Sequence, residues 1–264
     1  MKKLLIFTNI LLIAILSLQL SNQAEEREIA SAEDSRQIIM VIDTGLNMTK
    51  EIEPYVCEAG HKSYIFGQKA LEDHNGHGSN VAGLIAKGMN PKKQCLVIVK
   101  FWDQDMNGVD TIELVREALR YAIALKPAFI NMSLTGRTPD HLEMRYVNKL
   151  ISMGVNIAVA AGNENRDLDK SCRSFPACYK INSPHFRVVG SNTVRLEPLS
   201  RTIILKGPRQ EVRRVNGKYY KVFRYSNYGK RITNWENGTL VGSPKMTGTS
   251  QATAISMSKW VQGK

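Results

Sequence analysis

The sequence predicts an α/β fold with a mainly parallel sheet, and two observations lead to this prediction. Compact apolar runs that are typical of buried strands alternate along the chain with stretches whose apolar residues recur at helical spacing. Strand, helix, strand, helix, strand is the order in which crossover helices join parallel strands. The 264 residues fit one large domain or two small ones, and an apolar content of 43% excludes a wholly disordered chain.

Four short apolar runs are predicted to be buried strands of this sheet. They are Ile38–Ile42, Leu96–Phe101, Ala128–Leu134 and Val155–Ala161. Ligand sites of parallel α/β folds lie beyond the carboxyl ends of the strands. Asp43, Ser133 and Asn163 stand at or just after such ends, so they are candidate site residues.

Two stretches are predicted to be crossover helices. Asp110–Leu125 places its apolar residues on one face and begins with a capping aspartate, and Pro127 ends it. Leu142–Met153 is the second helix, and Gly154 stops it. No internal repeat and no Pro-rich or Ser-rich linker divides the chain, so we expect a single domain from residue 37 to residue 264.

The start of the chain has the features of an export signal. Two lysines precede a mostly apolar stretch, Leu4–Leu20, in which the longest uninterrupted run has seven residues. A membrane-spanning helix needs about 20 predominantly apolar residues. We therefore expect a signal peptide (residues 1–24) that is cut near Ala24, an N-terminal arm of residues 25–36, and a secreted or periplasmic protein with no stable membrane anchor. A retained anchor is the alternative.

Export gives the four cysteines a meaning, because an exported chain meets oxidising conditions. An even number of cysteines then favours disulfides over a zinc site, for which the sequence has no C-x-x-C or H-x-x-x-H spacing. Four cysteines allow three pairings. Cys172 and Cys178 are six residues apart and could close a short loop, which would leave Cys57 to pair with Cys95.

Positive charge is concentrated in one segment. The 36 Lys and Arg against 24 Asp and Glu give +12, which falls to +10 when both signal lysines are removed. Between Arg195 and Arg231 there are 11 Lys and Arg against 2 Glu, so this segment carries +9. Its Asn216-Gly217 dipeptide predicts a hairpin, inserted at residues 192–225. The charge indicates an acidic partner, and export favours an acidic protein or cell-surface polymer over nucleic acid.

Three segments carry residues of catalytic type. V-I-D-T-G contains Asp43, N-G-H-G-S-N-V-A-G contains His77, and G-T-S-Q-A contains Ser250. Catalysis by a hydroxyl nucleophile needs a serine, a histidine that takes its proton and a carboxylate that orients the histidine. Each motif is weak alone. Together they occur in the order Asp, His, Ser, which is the order along the chain of subtilisin.

Two more segments complete the pattern: A-A-G-N-E, with Asn163, and the strand N-M-S-L, with Ser133. The five segments together resemble the subtilisin-like serine proteases (subtilases), and the resemblance covers about residues 37 to 264. It implies a three-layer sandwich around a mainly parallel sheet, here with an inserted basic β-hairpin. It also implies an exported serine endopeptidase that hydrolyses peptide bonds through an acyl-enzyme intermediate.

The resemblance assigns roles to individual residues. Ser250 would attack the scissile carbonyl, His77 would accept its proton, and Asp43 would orient His77. Asn163 would donate to the oxyanion. The residues expected to border the substrate are Ser133, Leu134, Thr135 and Gly162. Polypeptides, acidic ones among them, would be the substrates of a monomeric enzyme that needs no cofactor.

The sequence also departs from the subtilase pattern. Asn80 and Gln251 stand where the family has a second histidine and a methionine, and Thr135 stands where the cleft usually has a glycine. No carboxylate lies between Gly83 and Leu96, so we expect no calcium site in that loop, although calcium elsewhere stays open.

An alternative function follows from the end of the chain. Only 14 residues follow Ser250, where the family usually has a long helix and further strands. The alternative is a catalytically impaired subtilase-fold binding module that uses its basic hairpin to bind polyanions.

Overall fold

The computed structural model describes residues 35–104, 106, 111–193, 195–198, 212–215 and 218–263. The expected signal peptide, most of the N-terminal arm and the helix cap expected at Asp110 lie outside these residues. Within them, no helix is both long enough and apolar enough to cross a membrane.

The strands of the described residues form two sheets. In chain order they are β1 Gln37–Asp43, β2 Lys62–Ser63, β3 Gln94–Lys100, β4 Phe129–Met132, β5 Asn156–Ala160, β6 Phe186–Ser191, β7 Arg195–Pro198, β8 Val212–Val215, β9 Lys218–Phe223 and β10 Asn234–Glu236. The larger sheet has the order β10-β6-β5-β4-β1-β3-β2, and its paired strands all run parallel. The predicted parallel α/β class is confirmed.

The helices pack on both faces of the larger sheet. They are α1 His77–Ala86, α2 Thr111–Leu125, α3 His141–Ser152 and α4 Thr249–Trp260. Successive side chains of a strand point to opposite faces. In β1, Met40 packs in the apolar cluster that contains residues of α2 and α3, and Ile39 packs in the cluster that contains residues of α1 and α4. The fold is therefore a sandwich of helices, sheet and helices.

The predicted strands and helices correspond to β1, β3, β4, β5, α2 and α3, with small shifts at their ends. Helix α4 begins one residue before Ser250. The sequence does not predict α1, because it begins with His-Gly-Ser-Asn, residues of low helix propensity. It does not predict β6 or the three-residue β10 either.

Two disulfides join the four cysteines, Cys57 to Cys95 and Cys172 to Cys178. The first connects the loop after β1 to β3 across 38 residues, and the second closes a loop across six residues. Of the three possible pairings, the structure has the one that places Cys172 with Cys178.

The basic segment between β6 and β10 contains the second sheet. Its strands pair antiparallel in the order β7-β9-β8. Val215 of β8 pairs with Lys218 of β9, so the two residues between them, Asn216 and Gly217, link the strands. That dipeptide lies outside the described residues, and the turn itself stays a prediction.

Candidate active site

Asp43, which is buried, and His77, which is half-buried, form a hydrogen-bonded pair at the carboxyl edge of the sheet. Asp43 is the last residue of β1 and His77 is the first residue of α1. The Nδ1 atom of His77 lies 2.7 Å from Oδ1 of Asp43. The backbone N–H of Thr44 donates to the same oxygen at 2.8 Å, so the carboxylate is held in place. This leaves Nε2 of His77 as the ring nitrogen available for proton transfer.

Opposing effects set the pKa of His77. Burial lowers the pKa, because it disfavours the imidazolium. The charge of Asp43, its hydrogen bond to the ring and the charge of Asp73 raise it, and together they outweigh burial. The pKa of His77 is therefore raised above its ordinary value, as suits a base whose protonated form is stabilised by a carboxylate.

Asp73 holds the first turn of α1, and sequence reasoning missed this residue. Its Oδ1 accepts hydrogen bonds from Thr44 Oγ1 at 2.9 Å and from the backbone N–H of Gly76 at 2.8 Å. Its Oδ2 accepts from the backbone N–H of Ser79 at 2.8 Å and from Ser79 Oγ at 2.7 Å. A carboxylate at a helix N-terminus is favoured by the free N–H groups and the helix dipole. An acidic residue four positions before His77 is the signal that could have found it.

Ser250 is the second residue of α4 and is buried. Its Oγ donates to the backbone carbonyl of Ser133 at 3.0 Å, and Ser133 Oγ donates back to the carbonyl of Ser250 at 3.0 Å. Within the described part of the chain, no hydrogen bond joins Ser250 to His77. The structure thus brings Asp43 and His77 into contact, and it connects the serine to the end of β4 instead. Catalytic hydrogen bonds often form only when substrate is bound.

Asn163 has a defined amide orientation beside the start of α4. Its Oδ1 accepts from the backbone N–H of Thr249 at 2.8 Å and from Thr249 Oγ1 at 3.1 Å. This leaves its Nδ2 as a donor, and Asn163 is exposed. Nδ2 lies 3.5 Å from the point where a Cβ on Gly248 would be. An amide donor therefore lies close to the N-terminal end of the helix that carries Ser250.

The residues expected to border the substrate lie at neighbouring strand ends. Ser133 follows β4 and is buried, Leu134 is half-buried and Thr135 is exposed. Gly162 follows β5 with a φ of +99°. A Cβ on this glycine would lie 2.5 Å from Nδ2 of Asn227, so both its backbone angle and its surroundings require glycine.

Asn227 supports this edge of the sheet through hydrogen bonds to the chain around Gly162. No pattern in the sequence predicts this role. Asn227 is fully buried. Its Nδ2 donates to the carbonyl of Ala161 at 2.8 Å and to Glu164 Oε2 at 2.7 Å, and its Oδ1 accepts from the backbone N–H of Arg166 at 2.8 Å. In the sequence, Asn227 follows the predicted hairpin and belongs to none of the motifs.

A buried ion pair stands beside Asp43. Lys100, which pairs with Asp43 across the β1–β3 register, is fully buried, and its Nζ donates to Asp103 Oδ2 at 2.9 Å. Nδ1 of His74 lies 3.1 Å from the same oxygen. No three His, Cys, Asp or Glu side chains of the described residues are placed to hold a metal ion. That the protein needs no cofactor stays a prediction.

Comparison with known proteins identifies the family. The family model of the Subtilase family (Peptidase_S8) matches residues 34–256. An extracellular serine proteinase of Thermus sp. (strain Rt41A) is 33% identical over 219 residues, which cover 80% of this chain and 48% of that protein. A subtilisin of Bacillus pumilus is 30% identical over 150 residues, which cover 53% of this chain and 52% of the relative. The chain spans about half the length of these two relatives.

Solved structures share the fold. A cold adapted subtilisin-like serine proteinase aligns with a TM-score of 0.59 and 24% identity, over 86% of this chain and 76% of the other. A lanthipeptide protease aligns with a TM-score of 0.62 and 20% identity, over 86% of this chain and 72% of the other. Because the family model covers more than half of the sequence and the fold agrees, the chain belongs to the subtilase family.

Proposed function

We propose that this chain is an exported serine endopeptidase that acts as a monomer and cleaves polypeptides through Asp43, His77 and Ser250. One observation carries the proposal: a buried carboxylate holds the ring of His77 in one orientation, and the helices that carry His77 and Ser250 pack in one apolar cluster on the same face of the sheet. The family and its extracellular serine proteinase relative support this activity. The two disulfides fit an exported protein.

The first half of the reaction forms the acyl-enzyme. Ser250 Oγ attacks the carbonyl carbon of the scissile peptide, and its proton passes to Nε2 of His77. The C–N bond of the tetrahedral intermediate then breaks, and His77 gives its proton to the leaving amine. In the second half, water attacks the ester, gives one proton to His77, and Ser250 leaves with that proton. Asp43 remains ionised throughout and stabilises the imidazolium.

The developing oxyanion requires hydrogen-bond donors. We assign this role to Nδ2 of Asn163, because its Oδ1 is already occupied by Thr249, and to the backbone N–H of Ser250 at the first turn of α4. The helix dipole adds to their effect. Loss of one such donor lowers kcat about 10²- to 10³-fold, a range that comes from a subtilisin itself.

The activity is tested with the full chain, expressed in a host that secretes it and removes its signal peptide. Casein cleavage and labelling by a fluorophosphonate are compared between the wild type and Ser250→Ala. We expect cleavage and a single labelled serine in the wild type and neither in the variant. A folded wild type that neither cleaves nor is labelled would contradict the proposal.

Hydrogen bonds connect the residues at the ends of the predicted basic insertion to the chain before Ser250. Ser191, the last residue of β6, shares a hydrogen bond of 2.6 Å with the hydroxyl of Tyr225, which lies 3.1 Å from Oγ1 of Thr239. The preceding residue, Gly238, accepts a hydrogen bond from the N–H of Gly248 at 2.8 Å. The residues at the two ends of the predicted insertion, Ser191 and Tyr225, therefore lie next to the loop that leads to Ser250.

We infer from this placement that acidic polypeptides are preferred substrates, because a local positive potential raises their encounter rate. The kcat/KM advantage of an acidic peptide over a neutral one should shrink between about 0.01 M and 1 M salt, as the Debye length falls from about 30 Å to about 3 Å. Arg213→Gln with Arg214→Gln should reduce the advantage. Lys92→Gln with Lys93→Gln removes two exposed charges near the opposite end of the sheet and should leave it unchanged. Equal effects of the two double variants would contradict this preference.

The alternative is a catalytically impaired subtilase-fold module that binds polyanions. One observation favours it: Ser250 Oγ is bonded to the carbonyl of Ser133 and not to His77. Salt-sensitive binding of an acidic polysaccharide by a folded protein that fluorophosphonate does not label would support this alternative over the protease.

A further inference from the structure

Two buried amide side chains join the helices that carry His77 and Ser250. Asn80 lies three residues after His77 in α1 and is 1% exposed, and Gln251 directly follows Ser250 in α4 and is 2% exposed. Nε2 of Gln251 donates to Oδ1 of Asn80 at 3.2 Å. This hydrogen bond connects residues that are 171 positions apart in the chain.

The surroundings determine which way each amide points. Nδ2 of Asn80 donates to the backbone carbonyls of Val241 at 3.1 Å and of Pro244 at 2.6 Å. Backbone carbonyls can only accept, so the amide of Asn80 must present its nitrogen to them and its oxygen to Gln251. Gln251 in turn must present its nitrogen to Asn80. The pair is therefore directional, and a flipped amide would place two acceptors or two donors against each other.

Glycines allow close packing on both amides. A Cβ on Gly242 would lie 2.1 Å from Nδ2 of Asn80, and a Cβ on Gly248 would lie 2.9 Å from Oε1 of Gln251. The Cβ position of Gly248 is also 3.5 Å from Nδ2 of Asn163, the proposed oxyanion donor. Gln251 and Asn163 thus flank one glycine, two residues before the nucleophile.

We propose that Asn80 and Gln251 are positioning residues for catalysis: their hydrogen bond sets α1, with His77, in register with α4, with Ser250. The inference rests on the proposed protease function. Its basis is that both residues depart from the subtilase pattern, which has histidine and methionine there, and that these two departures touch each other. Asn80 also anchors the 241–246 loop, which leads into Gly248, through its hydrogen bonds to Val241 and Pro244.

The chain supplies a matched control for the test. Gln94 is also buried, at 9% exposed, and its Nε2 donates to Oε1 of Gln37 at 3.2 Å and to the carbonyl of Val261 at 3.0 Å. This amide pair lies at the start of β1 and β3, the opposite end of the strands from Asp43. Gln94→Met therefore removes a comparable amide pair away from the active site.

The test compares kcat and KM of Gln251→Met and Gln94→Met on one peptide, well below the Tm of each variant. We expect Gln251→Met to lower kcat about 10-fold or more with KM within about twofold, since misalignment of catalytic groups reduces the rate of the chemical step. Gln94→Met should lower only the Tm. Gln251→Glu, which keeps the shape but places an oxygen against Oδ1 of Asn80, should resemble Gln251→Met.

A double-mutant cycle separates the bond from the residue. In an Asn80→Ala background the bond is already lost, so adding Gln251→Met should change kcat less than about twofold. If the wild type is active and Gln251→Met and Gln94→Met have the same kcat, the positioning role is overturned and the protease function stands. The same holds if the effects of Asn80→Ala and Gln251→Met on kcat are additive. A folded wild type without activity overturns both this inference and the protease function.

Discussion

Nδ1 of His77 lies 2.7 Å from Oδ1 of Asp43, although 34 residues separate them in the chain. The backbone N–H of Thr44 donates to the same carboxylate oxygen. His77 is the first residue of α1, so the helix fixes the position of its ring. A carboxylate in this place determines the tautomer of the imidazole and stabilises its protonated form. The pair therefore leads directly to a prediction about catalysis.

Asp43→Asn should lower kcat by about 10⁴-fold with little change in KM, because an amide keeps the shape but favours the wrong tautomer of His77. Steady-state kinetics on a peptide substrate checks this, with thermal unfolding as the control that the variant is folded. A kcat within tenfold of the wild type would show that Asp43 does not orient the base.

The raised pKa of His77 predicts the pH dependence of activity. In the proposed mechanism only the neutral ring accepts the proton of Ser250, so kcat/KM should rise with pH through a midpoint above about 6.5, the ordinary pKa of histidine. Because the charge of Asp73 contributes to the raised pKa, Asp73→Asn should move the midpoint to lower pH. A pH–rate profile tests both, and a wild-type midpoint at or below 6.5 would argue against the carboxylate pair.

Asp73 should also contribute to stability in a pH-dependent way. Burial raises the pKa of its carboxyl, but hydrogen bonds from Ser79, Gly76 and Thr44 lower this pKa by a larger amount. The pKa of Asp73 is therefore below its ordinary value. A lowered pKa in the folded state gives stability that is present above pH 4 and is lost as pH falls through the folded pKa. Asp73→Asn should cost about 2–3 kcal/mol near pH 7 and less at acid pH, as measured by urea unfolding. A loss that does not depend on pH would contradict this.

Glu143 is predicted to reduce stability above neutral pH. It is buried in α3, where the hydroxyl of Tyr179 is hydrogen-bonded to both Glu143 Oε2 and the carbonyl of Asp140. Burial raises the pKa of Glu143 to about 7, helped by the charge of Asp140 and opposed by the Tyr179 hydrogen bond. In the unfolded chain the carboxyl of Glu143 ionises at a lower pH than in the folded protein. The free energy of unfolding therefore falls as pH rises from about 4.3 to about 7.

Glu143→Gln removes this titration and keeps the shape of the side chain. The variant should match the wild type near pH 4.5 and be more stable by about 3–4 kcal/mol at pH 8. Urea unfolding at the two pH values checks this, and Glu58→Gln, at an exposed position outside this network, serves as the control. An equal difference at both pH values would contradict the prediction.

Some of the architecture follows from sequence patterns alone. The apolar runs of β1, β3, β4 and β5 and the amphipathic spacing of α2 predict the parallel α/β class, because burial in this fold imposes those periods. The short strand β10 and the helix α1 escape prediction. Three residues show no period, and α1 depends on the carboxylate of Asp73 and on the packing of its apolar face more than on its own propensities.

The candidate catalytic residues lie in contiguous motifs, so the order of Asp43, His77 and Ser250 can be read along the chain. The groups that support them cannot, because their partners are distant in sequence. Asn227 is hydrogen-bonded to Ala161, 66 residues away in the sequence, and Gln251 is hydrogen-bonded to Asn80, 171 residues away. Which polar side chain is buried, and which acceptor satisfies it, depends on where the completed sheet brings separate loops together. A local pattern carries no information about such contacts, and only the folded chain decides them.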